Sequence, residues 1–199
     1  MTMTPGIQPY YSYTITDKKG KIIRKSRTYK CRSFLRNFMI MLANGITHYP
    51  QTIYANGSSY ATTETMKYWD TFSNNNARFT YLNIIVGNGV GAVTPTNTWL
   101  SSEVTSLTPQ ALSIGAVQTR PASDEWPDSN YYDMTKVFTN GTGSPVILTE
   151  MGLYIYYYYQ YYSDYRPFWI LLIRDLFPGQ VTVANGQSIT LKYTIRAII

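Results

Sequence analysis

The stretch that most constrains the fold is the segment from Gln187 to Ile199. Its apolar residues alternate with polar or charged ones, and the apolar set is Ile189, Leu191, Tyr193 and Ile195. Alternation with period two puts one set of side chains on a buried face and the other in water, as in a half-buried β-strand. The dipeptide Asn185-Gly186 favours a tight turn, so we predict that it joins strands at 181–183 and 187–198. Because no segment after Ile147 has the pattern of a helix, we expect residues 136–199 to form four or more antiparallel strands packed as a sandwich.

Composition supports the same class of structure. Tyrosine, which suits pleated and half-buried surfaces, occurs 20 times in 199 residues. Only 14% of the residues are charged, against about a quarter in an average domain. The chain is long enough for one domain with its own core. Since no apolar run reaches the ~18 residues of a membrane-spanning helix and the first residues lack a signal-peptide pattern, we expect neither a membrane span nor secretory export.

Positive charge is concentrated at the amino-terminal end. Residues 1–50 contain nine Lys and Arg and one acidic residue, which gives +8. Residues 51–199 contain the remaining eight of the 17 basic residues and ten of the 11 acidic ones, which gives −2. We therefore expect a basic hairpin or arm with a helix at 1–45 and a β-sandwich domain with long loops at 46–199. The cations assigned to the basic arm are Lys18, Lys19, Lys21, Arg24, Lys25 and Arg27.

The amino-terminal sequence predicts a β-hairpin. Residues 10–16 alternate aromatic and polar side chains, residues 17–20 have the composition of a turn, and residues 21–27 continue as a second strand. Ile22 and Ile23 are its strongest apolar anchors. Since an isolated hairpin is marginally stable in water, we expect it to dock on its own sheet or on a neighbouring subunit. We further expect residues 1–30 to contribute to assembly between subunits rather than to the core of the domain.

One short helix is predicted after the hairpin. Ser33 is a suitable N-cap, and apolar residues then recur at helical spacing, namely Phe34, Leu35, Phe38, Met41 and Leu42. We expect this helix, at 33–43, to cover one end of the sandwich. Residues 46–77 are polar and have no period, which predicts a long loop or arm with short strands.

The glycines that follow the apolar segment 79–86 match the spacing of a dinucleotide-binding fingerprint, Gly87-x-Gly89-x-x-Ala92. That motif works only when a helix begins there and offers its amide groups to the pyrophosphate. Here Pro95 follows, and no amphipathic period appears before Trp99. We therefore predict a turn rather than a cofactor site.

Other reactive residues do not predict a site. Cys31 and His48 are the only cysteine and histidine, so a disulfide, a recognisable metal site and a Ser/His/Asp set are not expected. Although basic residues surround Cys31, we interpret it as a structural thiol rather than a reactive thiolate. A group of acids lies among Pro, Ser and Asn residues, which predicts a solvated loop rather than an acid–base pair: Asp124, Glu125, Asp128 and Asp133. We expect no cofactor, no metal and no catalysis.

The tyrosine-rich segment 154–169 is the candidate contact surface. Tyrosine has a large ring with a polar tip and only two side-chain torsions to order, and it is enriched at protein interfaces. Packing of the tyrosines on each other within a sheet is the alternative. The residues predicted to form an interface are Tyr156, Tyr157, Tyr158, Tyr159, Tyr161, Tyr162, Tyr165 and Trp169.

Four short motifs occur in order along the chain: IIVGNGVGAVTPTN at 84–97, FTNGTGSPVILTEMGLY at 138–154, LLIRDLF at 171–177 and VTVANGQSITLKYTI at 181–195. In this order they resemble a recurring type of virion structural protein from tailed viruses of bacteria and archaea. The resemblance implies a mainly β, jelly-roll-like antiparallel β-sandwich in a tail, neck or capsid. It further implies assembly in the host cytoplasm and contacts with copies of itself and other virion proteins.

Two other functions stay open from the residues alone. One is a carbohydrate- or cell-surface-binding β-sandwich module, in which segment 154–169 stacks on the sugar rings of a glycan or host surface. The other is nucleic-acid binding through the basic stretch 18–36, where Tyr29, Phe34 and Phe38 lie between the cations.

Two charged residues interrupt the apolar strands of the carboxyl-terminal part. Glu150 and Arg174 each lie within an apolar segment, so we expect them to be structural rather than catalytic. The expected partners of Arg174 are Asp175, Glu150 or a backbone carbonyl at the end of the sheet.

Overall fold

The structure, a computed structural model, describes residues 6–31, 52–55, 58–61, 81–94, 97, 99–120, 129–161 and 164–198. For residues 52–55, 58–61, 81, 120, 129, 156–161, 164–169 and 198 it describes the backbone alone. The predicted helix at 33–43 lies outside the described residues, as do His48 and three of the clustered acids, Asp124, Glu125 and Asp128.

The described part of the chain is mainly β, and it contains no helix. Its strands are β1 Gly6–Thr16, β2 Ile22–Lys25, β3 Tyr29–Lys30, β4 Thr52–Ala55, β5 Ser58–Ala61, β6 Tyr81–Gly87, β7 Thr108–Pro109, β8 Ser113–Ile114, β9 Gln118–Arg120, β10 Ser129–Thr139, β11 Val146–Tyr161, β12 Asp164–Val183 and β13 Ser188–Ile198. The prediction of four or more strands in the carboxyl-terminal part is confirmed by β10 to β13. Among these residues there is also no helix long and apolar enough to cross a membrane.

The strands form antiparallel sheets. In the eight-stranded sheet the successive neighbours are β2-β1-β13-β10-β7, with β3 beside β1 and with β8 and β9 beside β10. A three-stranded sheet has the order β12-β11-β6, and β4 pairs with β5. The chain separates into two compact units: unit 1 is residues 1–32, 105–147 and 181–199, and unit 2 is residues 33–104 and 148–180.

Strand β13 is the centre of unit 1. It pairs with β1 from Gly6↔Ile198 to Thr16↔Ser188, and with β10 from Ser129↔Ile198 to Thr139↔Ser188. These registers align the apolar positions of the three strands on one face, where they are buried: Tyr11, Tyr13, Ile15, Met134, Phe138, Ile189, Leu191, Tyr193 and Ile195. Each such side chain contributes about 1.5–3 kcal/mol when it is removed from water. The predicted alternation of β13 is therefore confirmed, and it organises the core of the unit.

The opposite face of the same sheet carries polar side chains beside the buried Tyr10. Lys192 Nζ lies 3.1 Å from Asp133 Oδ2, and the Thr194 hydroxyl donates to Asp133 Oδ1 at 2.5 Å. The side chains of this ion pair are 43% and 30% exposed. Asp133, which the sequence placed in a solvated loop, is thus a strand residue of β10. It belongs there because its neighbours Met134 and Phe138 follow the apolar alternation.

The predicted hairpin and its turn are confirmed. Asp17 Oδ1 accepts the backbone N–H groups of Lys19 and Lys21 at 2.8 and 2.9 Å, and Gly20 has a φ of 79°. The prediction that Ile22 and Ile23 anchor the hairpin is wrong, because they are 56% and 48% exposed. The apolar anchors lie in β1 instead.

The expectation that residues 1–30 stand outside the core is also wrong. All 11 residues of β1 pair with β13, and Tyr11, Tyr13 and Ile15 are buried in the row described above. The charge that suggested a separate arm begins in the turn after β1, whereas β1 itself carries no charged residue. Of the two docking places expected for the hairpin, its own sheet is the one observed.

The predicted turn at Asn185-Gly186 is confirmed. Gly186 has a φ of 77°, and the N–H of Gln187 donates to the carbonyl of Ala184 at 3.0 Å. Its two flanking strands, β12 and β13, belong to different sheets. The turn therefore redirects the chain from one sheet to the other and does not close a hairpin.

In unit 2, strand β11 lies between β6 and β12. It pairs with β6 from Glu150↔Gly87 to Tyr156↔Tyr81. Residues 170–175 of β12 are all buried, as expected for a strand that is covered on both faces. Gly152 permits close packing there, because a Cβ on it would lie 2.8 Å from Leu171 Cδ1. This packing holds Glu150 and Arg174 in the interior of the unit.

Candidate functional site

A buried ion pair lies where β6 ends. The side chains of Arg174 and Glu150 are 1% and 0% exposed. Arg174 Nη2 and Nε lie 2.7 and 2.8 Å from Glu150 Oε2. A pair removed from water in this way is stable only when its remaining donors and acceptors are also satisfied. The expected pairing of Arg174 with Glu150 is therefore confirmed, and the loop after β6 supplies the other partners.

That loop accepts the remaining guanidinium hydrogen bonds. Nη1 donates to the carbonyl of Ala92 and to Asn97 Oδ1, each at 2.9 Å. Nη2 donates to the carbonyl of Gly91 at 2.8 Å and to Ser101 Oγ at 2.5 Å. Every nitrogen of Arg174 thus donates to an acceptor of unit 2. This planar, many-donor arrangement suits arginine and is not reproduced by lysine.

The carboxylate of Glu150 binds the same loop from the other side. Its Oε1 accepts the backbone N–H groups of Gly89 at 3.2 Å and Ser102 at 2.9 Å. The Thr149 hydroxyl donates to the carbonyl of Gly89 at 2.6 Å. Both ends of the loop are therefore tied to one ion pair. We call Glu150 and Arg174, together with the loop residues that bind them, the ion-pair network; these loop residues are Gly89, Gly91, Ala92, Asn97, Ser101 and Ser102.

The loop needs glycines because other groups lie very close to its backbone. A Cβ on Gly87 would lie 2.5 Å from the carbonyl of Ser102, and a Cβ on Gly89 would clash with Ser101 and with Glu150 Oε1. No helix follows within the described residues 88–94, and the amide of Gly89 donates to Glu150. The glycine pattern that matches a phosphate-binding fingerprint accommodates a carboxylate of the same chain, and residues 88–94 form an irregular loop in place of the predicted turn.

Two side chains of the network were not singled out from the sequence, Asn97 and Ser101. Asn97 Oδ1 also accepts the N–H of Thr94 at 2.7 Å, and the N–H of Asn97 donates to the carbonyl of Thr94 at 3.1 Å. The signal that predicts this turn is the Thr-Pro-Thr-Asn spacing, because Pro and Asn favour turns. The sequence does not indicate that the turn serves an arginine 77 positions away.

Tyr154 closes the other side of the loop. Its hydroxyl accepts the N–H of Leu100 at 2.8 Å, and its ring packs with Leu100 and Leu171 in a buried cluster. The ring of Trp99 lies 6.0 Å away, between centroids. Burial raises the pKa of the Tyr154 hydroxyl well above its usual value of about 10. Tyr154 is therefore a neutral core residue and not a surface ring for stacking.

The residues predicted to form an interface are placed by their backbone. Strand β11 contains Tyr156, Tyr157, Tyr158, Tyr159 and Tyr161, and β12 contains Tyr165 and Trp169. Tyr162 lies outside the described residues. The side chains of this group are not among those described, so the interface stays a prediction.

The basic arm is an exposed edge of the eight-stranded sheet. The whole of β2 is exposed, and so are the other cations between residues 17 and 30, namely Lys18, Lys19, Lys21, Arg27 and Lys30. Asp17 is the one acidic residue in this range, and its carboxylate accepts two backbone N–H groups of the turn. We call residues 17–30 the basic hairpin edge.

Two arginines of this edge lie over tyrosine rings. Arg24 Cζ is 5.5 Å from the centroid of Tyr13, and Arg27 Cζ is 5.1 Å from that of Tyr29. The ring of Tyr29 stacks on Tyr11, with centroids 5.1 Å apart and planes 26° apart. Each contact of this type contributes about 0.5–1 kcal/mol at an exposed site. The two guanidinium groups are therefore held by the aromatic edge of the sheet.

The remaining reactive residues are Cys31 and the acidic residues in the described part of the chain. No group of three or more His, Cys, Asp and Glu there is arranged to hold a metal ion. Cys31 is buried, and its backbone N–H donates to the carbonyl of Pro9 at 3.0 Å. Comparisons of the chain with protein-family models, with curated proteins and with solved structures find no match.

Proposed function

We propose that this chain is a structural subunit of a virus particle, part of a capsid, neck, tail or surface appendage, and that it carries out no catalysis. It acts through contacts with copies of itself and with other virion proteins, and its sheets pack as a jelly-roll-like sandwich. The observation that carries the proposal is the ion-pair network. The resemblance to virion proteins depends on the motifs at 84–97, 138–154 and 171–177. In the network, the polar residues Asn97, Glu150 and Arg174 of these motifs bind one another and the loop.

The chemistry of the network supports a scaffold. A catalytic acid or base must present an atom that a substrate can reach. Glu150 is 0% exposed, and both of its oxygens accept hydrogen bonds from groups of unit 2. Arg174 is saturated in the same way. Residues used like this fix the shape of a loop, and a loop fixed at both ends presents a defined surface for a partner.

The length and composition of two strands supply a second argument. Strands β11 and β12 contain 16 and 20 residues, whereas strands usually have about 5–6. The distal part of this pair carries the tyrosine-rich segment. A long, tyrosine-rich pair of strands suits contacts between subunits, because tyrosine is enriched at interfaces and loses few torsions when it is ordered.

One structural finding shortens the segment that the carbohydrate-binding alternative could use. Tyr154, the first aromatic residue of segment 154–169, is buried and binds the backbone of Leu100. It is therefore removed from the set of rings that a sugar would meet.

Sedimentation velocity of the full chain, at several concentrations and at low and high salt, tests the proposal. We expect a discrete assembly that persists at high salt. Because successive strand residues alternate between faces, the Tyr157→Ser/Tyr159→Ser and Tyr156→Ser/Tyr158→Ser pairs test each face in turn. At least one pair should dissociate the assembly without changing the circular dichroism. Tyr131→Ser in unit 1 is the matched control and should leave the assembly intact.

A monomeric chain would contradict the proposal. If the wild-type chain is monomeric at every concentration and binds a glycan array in a way that the tyrosine pairs abolish, the carbohydrate-binding function replaces the proposal. A monomer that binds neither glycans nor other virion proteins also contradicts it.

A further inference from the structure

The basic hairpin edge carries far more positive charge than a sheet edge needs. Seven Lys and Arg lie between residues 17 and 30, against Asp17 alone. Charged side chains on an edge strand discourage it from pairing with another sheet, and here the cations also extend into the turn and beyond β2. Because Asp17 is already bound by the turn, the field of the seven cations is directed to the solvent, where it attracts polyanions.

Two of these cations are partly ordered before binding. Arg24 and Arg27 lie over the rings of Tyr13 and Tyr29. A guanidinium that lies on a ring keeps its N–H groups available for a bidentate contact with an oxyanion. Ordering an arginine side chain before binding also reduces the entropy that binding loses. Such arginines are suited to hold individual phosphates.

The lysines indicate which kind of polyanion is bound. Five of the seven cations are lysines: Lys18, Lys19, Lys21, Lys25 and Lys30. Lysine is depleted in protein–protein interfaces, whereas Lys and Arg supply most contacts to the phosphate backbone of nucleic acids.

From these observations we propose that the basic hairpin edge binds the phosphate backbone of nucleic acid, with Arg24 and Arg27 as fixed phosphate contacts and the lysines as a mobile positive field. This site lies in unit 1 and does not use the ion-pair network. It holds whether or not the chain is a virion subunit. Since the contacts are to phosphates, binding is independent of base sequence.

Fluorescence anisotropy of the full chain with a labelled mixed-sequence DNA duplex, over a series of salt concentrations, tests this inference. With about five phosphates neutralised, the slope of log K against log salt should be about −4.5 for B-DNA. The Lys19→Gln/Lys21→Gln variant loses two mobile charges and should flatten that slope by about 1.8. The Arg24→Gln/Arg27→Gln variant loses the same charge, and we expect its affinity to fall about tenfold further, the value of a 1.4 kcal/mol difference.

A charge-preserving variant separates geometry from net charge. Arg24→Lys/Arg27→Lys keeps the field but loses the bidentate fork, so it should bind more weakly than wild type and with a similar salt slope. If the Arg24→Gln/Arg27→Gln variant does not fold, this lysine variant still tests whether the two guanidinium groups contribute to binding. Circular dichroism and a thermal melt are run on each variant.

Three results would overturn the inference. The first is absence of binding by the wild type at low salt. The second is an equal loss for the arginine and lysine glutamine pairs, which would mean that the arginines are not anchors. The third is displacement of DNA by polyglutamate as efficiently as by unlabelled DNA, which would identify an acidic protein surface as the partner.

Discussion

Replacement of Arg174 by Met is the sharpest test of the ion-pair network. Methionine fills much of the same volume but leaves the Glu150 carboxylate without its counter-ion in a position that is 0% exposed. It also removes the N–H groups that donate hydrogen bonds to the carbonyls of Gly91 and Ala92. Breaking a buried pair by removal of one partner costs about 3–5 kcal/mol. Because a domain is stable by only about 5–15 kcal/mol, Arg174→Met should bring unit 2 close to unfolding.

Urea unfolding followed by tryptophan fluorescence measures the loss, since Trp99 packs beside Tyr154 in unit 2. The matched control is Lys192→Met, which removes the cation of a pair whose side chains are 43% and 30% exposed. An exposed pair contributes about 0–1 kcal/mol, so the control should unfold near the wild-type midpoint. A loss below about 1 kcal/mol for Arg174→Met would refute the reasoning.

The double variant Glu150→Leu/Arg174→Met separates two roles of the pair. Buried ion pairs that serve only themselves are often replaced by apolar residues without loss of stability. Here the pair also binds the N–H groups of Gly89 and Ser102 and the carbonyls of the loop. We therefore expect the double variant to remain destabilised, and a wild-type midpoint would show that the loop does not depend on the pair.

Four further predictions follow from the same structure. Gly89→Ala should lower the urea midpoint by the equivalent of about 1–3 kcal/mol, because its Cβ would clash with Ser101 and Glu150; an unchanged midpoint contradicts this. Ile189→Asp, between Ile15 and Phe138, should unfold unit 1 as judged by circular dichroism, and a wild-type melt would refute the assigned face of β13. Deletion of residues 1–30 removes β1 from β13, so unit 1 should lose its cooperative transition, whereas a cooperative transition of unit 1 would mean that β1 is dispensable. Since burial raises the folded-state pKa of Tyr154 above its unfolded value of about 10, Tyr154 should make unit 2 less stable as the pH rises above about 10, and Tyr154→Phe should reduce that loss; an identical loss above pH 10 in wild type and Tyr154→Phe contradicts this.

The parts of the fold that could be predicted from the sequence depend on local patterns. The alternation in β13, the Asp17 turn and the Asn185-Gly186 turn are each encoded by residues close together in the chain. The place of β1 could not be predicted, because the +8 charge of residues 1–50 obscured the absence of charge in residues 6–16. Its pairing with β13 joins residues at opposite ends of the sequence, and no local pattern specifies such a contact.

The candidate site shows the same limit. The glycines after β6 and the isolated charges at Glu150 and Arg174 were each visible, and their structural use was expected. The sequence does not show that these residues are close together in space, because Gly89 and Glu150, whose carboxylate it accommodates, are 61 positions apart in the chain. A glycine pattern indicates that something approaches the backbone, and the folded structure identifies that group.

The pairing of β1 with β13 has a consequence for biosynthesis. Gly6 pairs with Ile198, so the sheet of unit 1 cannot be completed until the ribosome has added 192 further residues. At about 5–20 residues per second, that interval lasts about 10–40 s. During this interval β1, with its apolar residues Tyr11, Tyr13 and Ile15, has no β13 to pair with. An apolar strand without its partner is prone to aggregation. The cations of the basic hairpin edge lie directly beside this strand, and charged residues that flank an apolar strand oppose such aggregation.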